Sequence, residues 1–300
     1  MTAQERTVGM IGLGIMGSAM SENLIKSGFS VVGFDVSDAA VDVFRAMGGQ
    51  PTKSARDVAG AVDIIITSLP SVNALRDTVA AVSAAARPGQ ILVETSTFRL
   101  VDKEQARADL ARSGISMLDC PLSGSGSQAK VRDVLVYASG ERADYDRCLA
   151  VFEGFSRAPH YLGPFGNGSK MKFVANLLVA IHTAAAGEAF ALARKCGLDP
   201  AQMFDVVSDG AGGSRALTIR GKMLIDDRYL PIQTMPLDLW RKDMSVISEF
   251  AATLACPTPM FSATVPLFNA AVASGFGQHD TAAVCAVIEQ MAGLPGPSKT

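Results

Sequence analysis

The stretch "VGMIGLGIMGSAM" places Gly12, Gly14 and Gly17 directly after a short apolar run and directly before a helix-like segment. In that strand–loop–helix context each glycine of a G-x-G-x-x-G spacing has a separate task. Gly12 permits the tight turn, Gly14 lets the backbone approach a pyrophosphate, and Gly17 lets the helix pack closely on the strand. Phosphates would meet free amides and the positive end of the helix dipole. Leu13, Ile15 and Met16 share the loop and join the glycines as candidate cofactor-binding residues. The next apolar run ends at Asp35 in "GFDVS". A carboxylate there can accept hydrogen bonds from both ribose hydroxyls of NAD and would repel the 2′-phosphate of NADP. The residues that follow, Val36 and Ser37, offer no arginine for such a phosphate, so NAD is expected over NADP. The competing reading is a glycine turn that merely packs, with Asp35 a solvated strand end.

The first half of the chain continues the pattern. "SVVGFD", "DIIITSL" and "QILVET" are continuous apolar runs separated by helix-like segments such as Met16–Ser27 and Val101–Ser113, and "SMLDCP" and "DVLVYASG" follow. Runs apolar on both faces, alternating with helices, predict a parallel sheet covered on both sides: an α/β, doubly wound Rossmann-type domain over residues 1–165. From "YLGPFGNGSK" onward no clear strand is visible. Residues 166–300 are expected to form an all-α domain for substrate closure and oligomerisation. It begins with one long interdomain helix, Ser169–Cys196, closed by Gly197. Asp199 and Pro200 then read as the cap and first turn of the next helix. Further helices are expected around Leu237–Thr253, Thr258–Ser274 and Thr281–Ala292, before a frayed "GLPGPSKT".

Composition narrows the function classes. Charged residues make up 19% of the chain and net charge is −2, which speaks against nucleic-acid or anionic-membrane partners. "MTAQERTVGMIGLG" contains no apolar signal region, and the longest apolar run carries Asn176, His182 and Glu188, as a buried soluble helix would. The five cysteines are scattered, which suits free thiols in a reducing cytoplasm. His160, His182 and His279 lie far apart, so no metal site is expected.

"GNGSKMKFVANLL" holds two lysines and an asparagine. Positions four apart on a helix differ by about 40° and positions two apart by about 200°. Lys172 and Asn176 therefore share a face, while Lys170 points elsewhere, towards solvent. Met171, Val174, Leu178 and Ile181 are read as an apolar stripe that anchors the helix. A lysine and an amide stacked on one face suit an alcohol substrate. The amine can move the hydroxyl proton while hydride moves to or from a nicotinamide, and burial would bring its pKa towards neutrality. A snorkelling lysine and a capping asparagine fit the same spacing equally well.

These motifs together resemble the β-hydroxyacid dehydrogenase family, the 3-hydroxyisobutyrate dehydrogenase-like group related to 6-phosphogluconate dehydrogenase. "GLGIMGSAM" resembles its N-terminal signature, "LDCPLSGSGSQA" its substrate loop, "GNGSKMKFVAN" its G-x-G-x-x-x-K-x-x-x-N segment and "LWRKDMSVISE" its K-D-L-x-x-A stretch. The resemblance spans nearly the whole chain and implies roles. Lys172 would be the catalytic acid/base with Asn176 beside it. Ser123, Gly124 and Ser125 would hold the substrate carboxylate. "SLP" and "ETST" would line the nicotinamide side through Leu69, Pro70, Ser96 and Thr97. Lys242 would reach over the cofactor, and Asp243 would support it or touch substrate; a solvated helix pair is the plain alternative for these two.

Some positions depart from the family pattern: Ser125 and Arg132 stand where it has glycine, Leu100 where it has proline, and Met235 where it has an aromatic residue. Arg132 is read either as an extra cation for a second acidic group or, slightly preferred, as an exposed turn residue. The expectation is a cytoplasmic, NAD-dependent oxidoreductase, a homodimer or homotetramer. It would act on a small 3-hydroxy acid, 3-hydroxyisobutyrate-like or tartronate-semialdehyde-like. A binding module that has lost catalysis, or an imine reductase-like enzyme, are the alternatives; Lys172 argues against both.

Overall fold

The computed structural model describes residues 6–232 and 234–295, so the end of "GLPGPSKT" and the first five residues lie outside the described residues. The chain divides into two compact units between Lys172 and Phe173.

The first unit is built on a six-stranded parallel sheet. Its strands are β1 (Thr7–Ile11), β2 (Ser30–Phe34), β3 (Gln50–Pro51), β4 (Ile64–Thr67), β5 (Ile91–Glu94) and β6 (Ser116–Asp119), in the order β3-β2-β1-β4-β5-β6. Register is set by the apolar runs: Met10 pairs with Ile66, and Ile66 with Val93. All four residues of β5 are buried, as expected for a strand covered on both faces. The covering helices are α1 (Ile15–Lys26), α2 (Asp38–Ala46), α3 (Ala55–Ala61), α4 (Val72–Ser83) and α5 (Leu100–Ala111). Strand order reverses between β1 and β4, the switch point at whose carboxyl edge α/β proteins bind ligands.

The run "DVLVYASG" does not extend this sheet. A three-stranded sheet forms instead from β7 (Leu122–Ser123), β8 (Leu135–Ala138) and β9 (Ala158–Tyr161), with α6 (Gly126–Lys130) and α7 (Arg142–Phe155) between them. β7 pairs antiparallel with β8, a turn in direction that Gly124 permits with φ +145°. A bridge between Asp119 and Ser139 joins the two sheets.

Helix α8 (Asn167–Lys195) carries the chain out of the first unit. It ends at Gly197, whose φ of +81° is the left-handed conformation that closes helices. The second unit continues with α9 (Pro200–Asp209), α10 (Arg215–Asp226), α11 (Leu237–Thr253), α12 (Pro259–Ala271) and α13 (Val284–Met291). Asp199 caps α9 by accepting from the Gln202 amide at 2.8 Å. The expected helix at Thr258–Ser274 is cut short: after α12 a π-helical turn, Val272–Phe276, holds Gly275 at φ +93° and redirects the chain. A 3-10 turn, Thr281–Ala283, precedes α13. α10, capped by Ser214, was not anticipated. Phe190, Leu237, Trp240, Phe268 and Val284 form the centre of this unit's core.

One expectation about α8 is overturned. Met171, Val174 and Leu178 do not anchor the helix; they are 42%, 58% and 46% exposed, and Ile181 alone of that stripe packs against the core. The buried face instead runs through Ser169, Lys172, Phe173, Asn176 and Ala180. α8 is apolar on more than one side, with a mean hydropathy of 1.4 over its most apolar window, so periodicity could not choose the inner face. By length and composition α8 could cross a membrane, but Lys172, Asn176 and Thr183 are buried within the fold along it.

Candidate active site

The glycine loop is locked from within. A Cβ on Gly12, which sits at φ +91°, would collide with the Ser68 carbonyl, and one on Gly17 would collide with the Gly12 carbonyl. Gly14 differs, because a Cβ there would meet nothing within 4 Å. Space therefore lies open above the loop at the position where backbone approach to a phosphate is needed. No side chain caps α1 at Gly14, which leaves its first amides to face an anion.

Asp35 is held at the end of β2. Its Oδ2 accepts from the Leu13 amide at 2.6 Å and its Oδ1 from the Ser37 amide at 2.8 Å. Each oxygen keeps a further lone pair for a ribose hydroxyl. Val36 projects outward, 91% exposed, and Ser37 caps α2. Across the switch point, the Leu69 amide donates to Ser96 Oγ at 2.8 Å, so the strand ends that carry Leu69, Pro70, Ser96 and Thr97 are tied together. Leu100 occupies the space beside Gly166, where a Cβ would touch it.

The residues expected to form a substrate loop follow β6. Ser123 ends β7, and Gly124 is exposed. The Ser125 hydroxyl is engaged as the cap of α6, in a capping box with Gln128. α6 abuts the glycine loop, because a Cβ on Gly126 would meet Ile15 Cγ2. Arg132 adopts φ +61° on the turn after α6 and donates to the Glu153 carbonyl; it is an exposed turn residue.

Along α8, Lys170 is exposed and lies 3.4 Å from Asn167 Oδ1, whereas Lys172 is 9% exposed. In the second unit Asn176 Nδ2 donates to Asp243 Oδ2 at 3.0 Å, with both residues buried. Lys242 Nζ lies 3.5 Å from Asp243 Oδ1. Sequence reading missed one feature, the lysine between Glu94 and Asp119. Lys103 lies on the buried 103/106/110 line of α5, and a lysine in register with Ala106 and Leu110 was the available signal.

The parallel sheet, its glycine turn and the acid after it define a dinucleotide-binding domain. Residues 7–163 match the family described as the NAD binding domain of 6-phosphogluconate dehydrogenase, and residues 166–288 the family described as NAD-binding of NADP-dependent 3-hydroxyisobutyrate dehydrogenase. The chain is 30% identical to 2-(hydroxymethyl)glutarate dehydrogenase of Eubacterium barkeri, covering 96% of each. It is 29% identical to L-threonate dehydrogenase of Cupriavidus necator over 98% of this chain and 99% of that one. A solved structure of 3-hydroxyisobutyrate dehydrogenase from Salmonella typhimurium superposes with a TM-score of 0.84 at 30% identity, covering 93% of this chain and 98% of the other. The chain belongs to the β-hydroxyacid dehydrogenase family, whose oxidoreductases bind a nicotinamide cofactor.

Proposed function

We propose that the protein is an NAD-dependent dehydrogenase or reductase of a small 3-hydroxy acid, with Lys172 as the general acid/base. The observation that carries the reading is a lysine 9% exposed, one helical turn before a buried asparagine. An ammonium is costly to bury unless it is paired or hydrogen-bonded, and a buried amine one turn from a buried amide is suited to carry a proton at a reacting hydroxyl.

The bound dinucleotide supplies the hydride acceptor or donor. The residues present fit it: open space above Gly14, uncapped amides at α1, and an oriented Asp35 carboxylate. Asp35 with the exposed Val36 supports NAD over NADP. Lys172 takes the hydroxyl proton during oxidation and returns it during reduction. Asn176, fixed by Asp243, orients the same oxygen. Ser123 and the amides around Gly124 bind the acid end of the substrate, and Lys242 balances charge near Asp243. The relatives named as dehydrogenases of hydroxymethylglutarate and threonate support a hydroxy acid as substrate class.

The exposed Met171, Val174 and Leu178 support self-association as a homodimer or homotetramer. Five free cysteines support a reducing, cytoplasmic setting. The test is turnover of NAD⁺ or NADP⁺ with three- and four-carbon hydroxy acids, followed by nicotinamide absorbance. Hydroxy-acid-dependent reduction of NAD⁺ is expected. Activity confined to imines would replace this reading.

A further inference from the structure

Glu94 and Asp119 are register partners at the carboxyl ends of neighbouring strands β5 and β6, so their side chains leave the sheet in the same direction. Both are fully buried. Two carboxylates placed side by side in a dry setting repel strongly unless a cation separates them. Lys103, also fully buried, supplies it from α5, with Nζ at 2.6 Å from Glu94 Oε2 and 2.8 Å from Asp119 Oδ1. Burial alone would lower the pKa of that ammonium, but Asp119 and Glu94 outweigh burial and hold it well above its usual value.

The two carboxylates also hold neighbouring pieces of the chain. Glu94 Oε1 accepts from the Ser96 amide at 2.8 Å, and the Ser96 hydroxyl in turn receives the Leu69 amide. Asp119 Oδ1 and Oδ2 accept from the Ser169 hydroxyl and amide at 2.8 Å and 2.7 Å. Asp119 thus caps the first turn of α8 from outside the helix, one turn before Lys172. Asp119 also leads directly into the loop that carries Ser123.

We propose that Lys103 is a positioning residue for the reaction: by joining Glu94 to Asp119 it fixes the Ser96 edge of the cofactor site and the first turn of α8 as one rigid piece, and so sets where Lys172 stands. This rests on the reading of Lys172 as the acid/base. Lys103 touches neither substrate nor cofactor in this scheme. Its effect passes through the two carboxylates.

Lys103→Met leaves two carboxylates without their cation and risks unfolding. The double variant Lys103→Met/Glu94→Gln keeps the net charge of the cluster at that of the parent, because it removes one positive and one negative group. The measurement is kcat and KM, together with the primary deuterium isotope effect on kcat for a hydroxy acid deuterated at the carbinol carbon. Lys172→Ala is run beside it, and circular dichroism and NAD titration establish the folded fraction. The folded double variant is expected to lose tenfold or more in kcat, with NAD affinity within about threefold of the parent and a larger isotope effect. A reduced fraction of active protein would leave the isotope effect unchanged. If the folded double variant keeps kcat within twofold and the isotope effect of the parent while Lys172→Ala is inactive, the positioning role is overturned and the acid/base reading stands. If Lys172→Ala itself turns over normally, the acid/base reading is overturned and takes this inference with it.

Discussion

Asn176 and Asp243, 67 positions apart in sequence, are joined inside the second unit by a hydrogen bond of 3.0 Å. The direction is fixed by chemistry, since a carboxylate can only accept and the amide nitrogen must donate. The Asn176 carbonyl therefore faces away from Asp243. Asn176→Ala strips a buried carboxylate of a donor and should lower unfolding free energy by about 1–3 kcal/mol in urea titrations. Asn176→Asp should cost more at neutral pH, with part of the loss recovered on acidification as a carboxyl proton restores a donor. Equal stability of Asn176→Asp and the parent at neutral pH would contradict the pair.

Cofactor choice should follow the carboxylate at the end of β2. Asp35→Ser combined with Val36→Arg removes a negative charge where a 2′-phosphate would lie and adds a cation at an exposed position. The ratio of kcat/KM for NAD over NADP should exceed one in the parent and fall by at least tenfold in the double variant. Better use of NADP by the parent would defeat the assignment.

The two lysines of α8 should separate cleanly. Lys172→Ala should reduce kcat by about 10²–10⁴, the usual range for a positioned acid/base, with NAD affinity little changed. Lys170, exposed and turned about 200° away, should tolerate alanine. An inactive Lys170→Ala beside an active Lys172→Ala would require a different site.

Thiol chemistry gives a pH-dependent expectation. Burial raises Cys148 from its ordinary 9.0 to about 12, and burial likewise pushes Cys120 and Cys285 up. The folded state thus favours the protonated thiol. The Cys148 contribution to stability is complete below about pH 9, where the unfolded thiol is still protonated, and is lost as pH rises towards 12. Thermal midpoints should fall across that window, and less so in Cys148→Ala. Under native conditions a thiol reagent should modify Cys196 and Cys256, the exposed pair, well before the other three. Rapid reaction of Cys120 or Cys148 in the folded protein would contradict the burial.

Self-association can be read at α8. Val174→Glu places a charge in the middle of the exposed Met171, Val174, Leu178 stripe. Light scattering should show a dimer or tetramer for the parent and a smaller species for the variant. A monomeric parent would refute the proposal.

The sheet was legible because its strands are continuous runs of Val and Ile that leave no polar face, as in "DIIITSL" and "QILVET". The glycine spacing was legible because collisions with the Ser68 and Gly12 carbonyls forbid other residues at two of its positions. The second sheet was not, because β7 is two residues long and β9, "APHY", has no alternation to read. The inner face of α8 was misread because it mixes polar Ser169, Lys172 and Asn176 with Phe173 and Ala180, while apolar Met171, Val174 and Leu178 lie exposed. Lys103 was passed over because a lysine in an amphipathic helix reads as solvent-facing, and its partners become visible only when β5 and β6 are placed in register.

The interlock at the glycine loop bears on what such a motif records over evolutionary time. Gly17 is held by the Gly12 carbonyl and Gly12 by the Ser68 carbonyl, all of them parts of the protein itself. Selection for folding alone is therefore enough to keep both. A descendant that gave up its cofactor would retain Gly12 and Gly17 unchanged, while Gly14, with open space before it, would be free to drift. Among lineages descended from such a chain, the middle glycine is the one whose loss would date the end of nucleotide binding.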